Sequence, residues 1–168
     1  PDASEKSTEP KEPAFVKEGL VAYYPFNGNA KDESGNGNDG KEVNGPLLVE
    51  DRNGVPNSAY SFDGKDDRIE TPQKNFPTGK VDRTTSIWFR LPDRGNKPLA
   101  VLWGAGLAAP QKLVAIQIGQ SIGGPAVLST DSYANRVVIK TVPLNDSEWH
   151  NVIWVLADGT AKTYIDGE

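Results

Sequence analysis

Turn-forming residues interrupt this chain so often that long helices are excluded. The 168 residues include 17 glycines and 13 prolines, and no window of about 11 residues shows a convincing helical period of hydrophobic positions. Short segments lie between the turns, and in them apolar and polar residues alternate. In residues 85–91, for example, Ile87 and Phe89 share one face, whereas Trp88 lies on the other. About a dozen such segments predict an all-β fold, a two-sheet antiparallel β-sandwich.

Composition excludes several classes of site and partner. The chain has no cysteine, which removes disulfides, thiolate metal sites and a thiol nucleophile. Its formal net charge of −5 argues against a nucleic-acid partner, because phosphates require a basic face. The mean hydropathy of −0.53 and the lack of any long apolar run predict no membrane span.

Two regions differ in composition. Residues 1–18 contain three prolines and eight charged residues, too little apolar surface to offset the entropy of ordering the chain. We expect this stretch to be a disordered or extended tether. Residues 19–168 carry all the strand-like segments and are predicted to form one domain.

Four segments in order resemble the concanavalin A-like, laminin-G-like jelly-roll family of bacterial surface and secreted proteins. They are residues 19–40 (GLVAYYPFNGNAKDESGNGNDG), residues 60–69 (YSFDGKDDRI), residues 85–89 (TSIWF), and the pair 149–152 (WHNV) with 164–167 (YIDG). Each motif alone is weak, but their order and spacing together are specific.

The resemblance implies a jelly roll that is secreted or displayed on a bacterial surface, tethered through its N-terminal segment. Family members usually continue past the turn at residues 164–167 through further strands, whereas this sequence ends at Glu168. We therefore expect an incomplete C-terminus and an unpaired edge strand. An unpaired edge invites strand addition by another chain, so a strand-donating or assembly partner is one expectation.

Calcium is a candidate cofactor of the polar loop at residues 32–40. The loop concentrates oxygen ligands and glycines, which suits Ca²⁺, and the resemblance adds that related jelly rolls hold calcium in loops at one rim. Asp32 and Asn36 are the candidate ligands, and Asp66, in a second acidic turn, is a third if the two loops meet. The alternative is that these side chains only close turns through bonds to the backbone, and that residues 63–67 close a hairpin.

Aromatic side chains are candidates for sugar binding, because a flat ring suits the apolar face of a pyranose. Trp103, before a glycine-rich segment, and Tyr133, on a polar stretch, are the predicted ligand-binding residues. Trp88, Trp149 and Trp154 lie within alternating strands and are predicted to be in the core.

The sequence does not favour catalysis. No Gly-x-Ser-x-Gly elbow accompanies His150, which we predict to be structural. The Glu-x-Asp-x-x-Glu pattern of jelly-roll glucanases, which would supply the paired carboxylates of a retaining hydrolase, is also absent. The sequence therefore predicts a non-catalytic extracellular module that binds carbohydrate, assisted by calcium. The alternative is a structural or protein–protein adhesion module whose partner is a surface protein.

Overall fold

The computed structural model describes residues 17–72, 74–77, 79, 81–92, 100–106, 113–120, 126–132, 135–139 and 144–168. These residues form β-strands and no helix, which confirms the predicted all-β class. Consequently none of them belongs to a helix long and apolar enough to cross a membrane. Of the predicted tether, residues 1–16 lie outside the described residues. The chain divides into two compact units, Pro1–Phe76 and Pro77–Glu168.

The first unit contains two separate two-stranded antiparallel sheets. Strand β1 (Lys41–Val43) pairs with β4 (Arg68–Glu70), and β2 (Leu47–Val49) pairs with β3 (Ala59–Ser61). Strands β3 and β4 lie within or beside the segment at residues 60–69 that carries the family resemblance. No motif or clear alternation in the sequence marks β1 or β2.

Residues 20–26 are apolar and aromatic, which predicts a strand. That prediction is wrong, because this segment has no regular secondary structure. Its backbone groups bond to the polar loop instead of to a neighbouring strand. The N–H of Tyr23 donates to Asp32 Oδ1 at 2.9 Å, and the carbonyl of Val21 accepts from the side-chain amides of Asn36 and Asn38. Phe26, at a φ of 58°, further departs from extended geometry.

The second unit contains a three-stranded and a four-stranded antiparallel sheet. Its strands are β5 (Arg83–Arg90), β6 (Ala100–Gly106), β7 (Leu113–Gln120), β8 (Ala126–Ser132), β9 (Asn135–Ile139), β10 (Trp149–Ala157) and β11 (Thr160–Ile165). The strand orders are β11-β10-β5 and β6-β7-β8-β9. The Asp158-Gly159 pair is a strong hairpin signal in the sequence, and the structure bears it out. The pair joins β10 to β11, and both residues have positive φ, at 50° and 72°.

The core of the second unit draws side chains from both of its sheets. Buried residues of the three-stranded sheet, among them Phe89, Val152 and Trp154, cluster with Ile116 and Ile118 of β7. Since side chains alternate along a strand, every second residue of β5, β10 and β11 points away from this cluster. We call the surface that these residues form the outer face.

The core prediction for the tryptophans holds for Trp154 and fails for Trp88. Trp154 is 1% exposed, whereas Trp88 is 45% exposed because it lies on the outer face, opposite Phe89 in the pleat. The core prediction also fails for Trp149, which is half-buried and lies on the outer face, opposite Arg90.

Candidate functional site

The outer face of the three-stranded sheet carries two exposed aromatic rings. Trp88 of β5 is 45% exposed and Tyr164 of β11 is 38% exposed. Trp88 lies opposite Asn151 of β10, and Tyr164 lies opposite Ile153. The two rings thus lie on the two edge strands of this sheet, offset by two residues along the strand direction. Their Cα atoms are roughly 12 Å apart, given the usual strand spacing and rise.

Asn151 holds the centre of this sheet in register. Its side-chain amide donates to Ser86 Oγ at 3.3 Å and to the Ile87 carbonyl at 3.2 Å. Its backbone N–H donates to Asp166 Oδ1 at 2.8 Å. These bonds tie β10 to β5 and to the turn after β11, so the two aromatic rings stand on a cross-linked support.

The predicted ligand-binding residue Trp103 lies on the four-stranded sheet and not on the outer face. Trp103 is not at the end of its strand but inside β6, beside a register shift between Val101 and Trp103. It is half-buried and packs against the core cluster. Tyr133 lies outside the described residues. The binding roles of both stay predictions.

Asp32 is the centre of the polar loop, and it accepts hydrogen bonds from backbone groups. Its Oδ1 accepts the N–H groups of Tyr23 and Ser34, both at 2.9 Å, and its Oδ2 accepts that of Asn38, also at 2.9 Å. Burial by itself would raise its pKa, but these bonds outweigh burial and lower the pKa to about 2. The carboxylate therefore stays ionised and organises the loop.

Asn38 is fully buried, and no pattern in the sequence indicates this. Its Oδ1 accepts the N–H of Lys74, and its Nδ2 donates to the carbonyls of Val21 and Lys74, both at 3.2 Å. The predicted ligand Asn36 is exposed, and its Nδ2 donates to the carbonyls of Leu20 and Val21. The loop thus uses amide side chains to satisfy backbone groups; the calcium roles of Asp32 and Asn36 stay predictions.

Asp66 belongs to a cluster of three carboxylates. Ligand oxygens of Asp63, Asp66 and Asp67 lie within 4.8 Å of one another, a group that does not include Asp32. Such oxygens are the donors that a hard cation prefers, so the turn fits Ca²⁺ in donor chemistry. Asp63 also accepts the N–H of Lys65 at 2.8 Å, which lowers the pKa of Asp63 and keeps it charged.

The acidic turn does not close a hairpin, contrary to the sequence prediction. It joins β3 to β4, and each of these strands pairs with another partner. The turn is instead held by its own carboxylates, since the N–H of Asp63 donates to Asp67 Oδ2 at 3.0 Å. Asn44 also donates to the carbonyl of Asp66 at 3.0 Å.

His150 is buried between two carboxylates in the second unit. Its Nδ1 lies 2.8 Å from Asp166 Oδ2, and its Nε2 lies 3.1 Å from Asp146 Oδ1. Burial would lower the pKa of His150, but the two carboxylates outweigh it and raise the pKa. With both ring nitrogens engaged by acids, the imidazole acts as a cross-link.

A family model matches residues 63–168 of the chain, described as the Concanavalin A-like lectin/glucanases superfamily. This chain belongs to that superfamily. Neither a curated protein nor a solved structure matches it. The laminin-G-like resemblance of the sequence is thereby confirmed, and membership indicates a binding module of a kind that is usually non-catalytic, in a superfamily that also includes glucanases.

Proposed function

We propose that this protein is a non-catalytic module that binds carbohydrate on the outer face of its three-stranded sheet. The observation that carries the proposal is the pair of exposed rings, Trp88 and Tyr164, on one face of a domain from a lectin and glucanase superfamily. Exposed indole and phenol rings offer a sugar an apolar surface with a polar edge.

The surroundings of the two rings also suit a sugar. Ile153 lies directly opposite Tyr164 and, on its other side, opposite Ser86. A sugar ring placed there would contact apolar surface beneath and a hydroxyl beside it. The support is cross-linked through Asn151, so little ordering entropy is lost on binding.

The absence of a catalytic role is part of the proposal. A retaining glycosidase needs a close pair of carboxylates on its substrate face. The residues that alternate onto the outer face from β5, β10 and β11 are Thr84, Ser86, Trp88, Arg90, Trp149, Asn151, Ile153, Val155, Ala157, Thr160, Lys162 and Tyr164. None of these described positions is an acid, so binding without hydrolysis is the expected outcome.

Calcium is proposed as a structural aid, held by Asp63, Asp66 and Asp67. The ion would neutralise the negative charge of these three carboxylates, which lie close together in one turn. Localisation outside a bacterial cell is likewise our proposal, drawn from the kind of family that the sequence resembles.

A glycan array tests the carbohydrate proposal directly. Wild-type protein is compared with Trp88→Ala, and Phe62→Ala serves as the matched control because Phe62 is similarly exposed, at 47%, in the other unit. We expect saccharide binding that Trp88→Ala reduces and Phe62→Ala leaves unchanged. Absence of binding to every saccharide on the array would contradict the proposal.

A protein-adhesion role is the second candidate, and exposed apolar side chains of the first unit favour it. Leu47 is 69% exposed, and Val55 and Phe62 are each close to half exposed. Exposed apolar surface of this kind is typical of protein contacts when it forms one patch. If adhesion is the function, Leu47→Ser abolishes partner capture while Trp88→Ala has no effect.

A further inference from the structure

We propose that the ligand of the outer face is an acidic polysaccharide, an extended sugar chain whose rings bear carboxylates. This inference rests on the proposed function and names the substrate class of the same site. Its basis is the order of charged and aromatic side chains across the three strands.

Each exposed ring has a cation two residues away on the same strand and the same face. On β5 the pair is Trp88 with Arg90, and on β11 it is Tyr164 with Lys162. Arg90 and Lys162 are both exposed. A sugar ring stacked on either aromatic side chain would therefore place its substituents beside a positive charge.

Strand register sets the order of these four residues along the sheet. The central strand β10 gives the position of each residue along the sheet. In order along β10, Arg90 lies opposite Trp149, Trp88 opposite Asn151, Tyr164 opposite Ile153, and Lys162 opposite Val155. The sequence of features is thus cation, ring, ring, cation on a diagonal. From Arg90 to Lys162 the diagonal spans roughly 20 Å at the usual rise per residue, which suits an extended chain and exceeds a single sugar.

The charge of the face contrasts with that of the whole chain. The chain carries a formal net charge of −5, yet the outer-face positions of the three strands hold Arg90 and Lys162 and no acid. Electrostatic complementarity therefore selects a negative partner for this surface. A neutral sugar would leave both cations without a role in recognition.

Arg90 is oriented by its neighbour. Its guanidinium carbon lies 5.2 Å from the centroid of the Trp149 ring on the facing strand, within the range of a cation–π contact. A stacked guanidinium keeps its N–H edge available for a carboxylate. Because the side chain is already held, less entropy is lost when the ligand binds.

Isothermal titration calorimetry with oligogalacturonides tests this inference. The matched ligand is the same oligomer after chemical reduction of its carboxylates, which removes the charge and keeps the ring. The variants are Arg90→Gln and Lys162→Gln, with Lys41→Gln as the control because Lys41 is an exposed strand lysine of the first unit. Poly-glutamate supplies an acidic chain without sugar rings.

We expect the acidic oligomer to bind at least about tenfold more tightly than its reduced counterpart. Each of the two outer-face variants should weaken binding by about threefold, the size expected for an exposed ion pair, and Lys41→Gln should leave affinity unchanged. Affinity should rise with oligomer length until the chain spans roughly 20 Å. It should fall as salt is raised.

Three results would overturn the inference. Equal binding of the reduced oligomer would show a neutral saccharide site, which leaves the proposed function standing. Poly-glutamate binding as tightly, with the same loss in Arg90→Gln and Lys162→Gln, would identify an acidic protein partner. Failure of both the acidic and the reduced oligomers, together with a blank glycan array, would contradict the proposed function as well.

Discussion

Of the two carboxylates that contact the imidazole of His150, Asp166 is the nearer, with Nδ1 2.8 Å from Oδ2. Asp146 lies on the opposite ring nitrogen at 3.1 Å, and the ring of Phe89 packs at 5.8 Å. Only a protonated imidazole can donate from both nitrogens at once. The arrangement joins the start of β10 to the turn that follows β11.

The first prediction concerns the pKa of His150. Burial lowers this pKa, and the bonds to Asp166 and Asp146 raise it by more, so we expect a value above 6.5. Because the chain has one histidine, an NMR titration of its ring protons gives the value without assignment. Asp146→Asn should lower the measured pKa, whereas a value below 6.5 in the wild type would contradict the cross-link.

The same groups set a pH window for stability. A raised histidine pKa contributes stability that is complete below pH 6.5 and is lost as the pH rises through the folded-state value. Asp146 and Asp166 have lowered pKa values, so their contribution is present above pH 3.8 and is lost as the pH falls through their folded-state values. Denaturation followed by tryptophan fluorescence should thus show greatest stability between these limits. In His150→Gln the decline on the alkaline side should flatten, and an unchanged alkaline decline would argue against this origin.

The polar loop supplies the second prediction. Asp32→Ala removes the acceptor of the N–H groups of Tyr23, Ser34 and Asn38. Loss of a charged acceptor to partly buried donors should cost about 2–3 kcal/mol in the free energy of unfolding of the first unit. Hydrogen exchange at the three amides measures this loss of stability. Glu33→Ala, which changes an exposed neighbour of Asp32, is the control. Unchanged protection in Asp32→Ala would contradict the organising role of this carboxylate.

Gly40 is the subject of the third prediction. A Cβ there would lie 2.7 Å from the Ala30 carbonyl oxygen and 2.7 Å from Ile69 Cγ2. The oxygen belongs to the backbone and accepts the N–H of Gly40 at 2.8 Å, so it has little room to move. Gly40→Ala should therefore destabilise the first unit by about 1–3 kcal/mol, measured by denaturant titration. Lys41→Ala, next to it on the surface, should change stability by less than about 0.5 kcal/mol; equal effects of the two would refute the close approach.

Calcium gives the fourth prediction. If Asp63, Asp66 and Asp67 bind the ion, calcium should raise the melting temperature by mass action, and chelator should reverse the rise. Asp66→Asn should reduce the effect, because it removes a ligand charge and keeps the turn bonds of Asp63 and Asp67. Asp158→Asn in the other unit is the control. A melting temperature insensitive to calcium would contradict the proposed cofactor.

Prediction from sequence succeeded where a local period repeats long enough to be visible. The alternation at residues 85–91 predicted β5 and placed Trp88 opposite Ile87 and Phe89, as the structure has it. The hydrophobicity of Trp88 predicts burial, but its position in the alternation places it on the face opposite Ile87 and Phe89. For Trp88, the alternation is therefore the better guide, and it indicates the outer face.

Contacts between distant residues account for most of what the sequence did not reveal. Residues 20–26 are apolar and aromatic enough to predict a strand, but side chains of the 32–40 loop take their backbone bonds. Asn38 bonds to Lys74, 36 residues away, and no local pattern encodes that pairing. The carboxylate partners of His150 likewise come from separate turns, although Asp166 stands in the Asp-Gly motif of the family resemblance.

The most direct test of the account is an NMR titration of the wild-type protein with the saccharide that it binds best. We predict shifts of the Trp88 indole N–H and of backbone amides in β5, β10 and β11, centred on Trp88, Ile153 and Tyr164. Shifts confined to Trp103 or to the 32–40 loop, with the Trp88 indole unmoved, would contradict binding on the outer face.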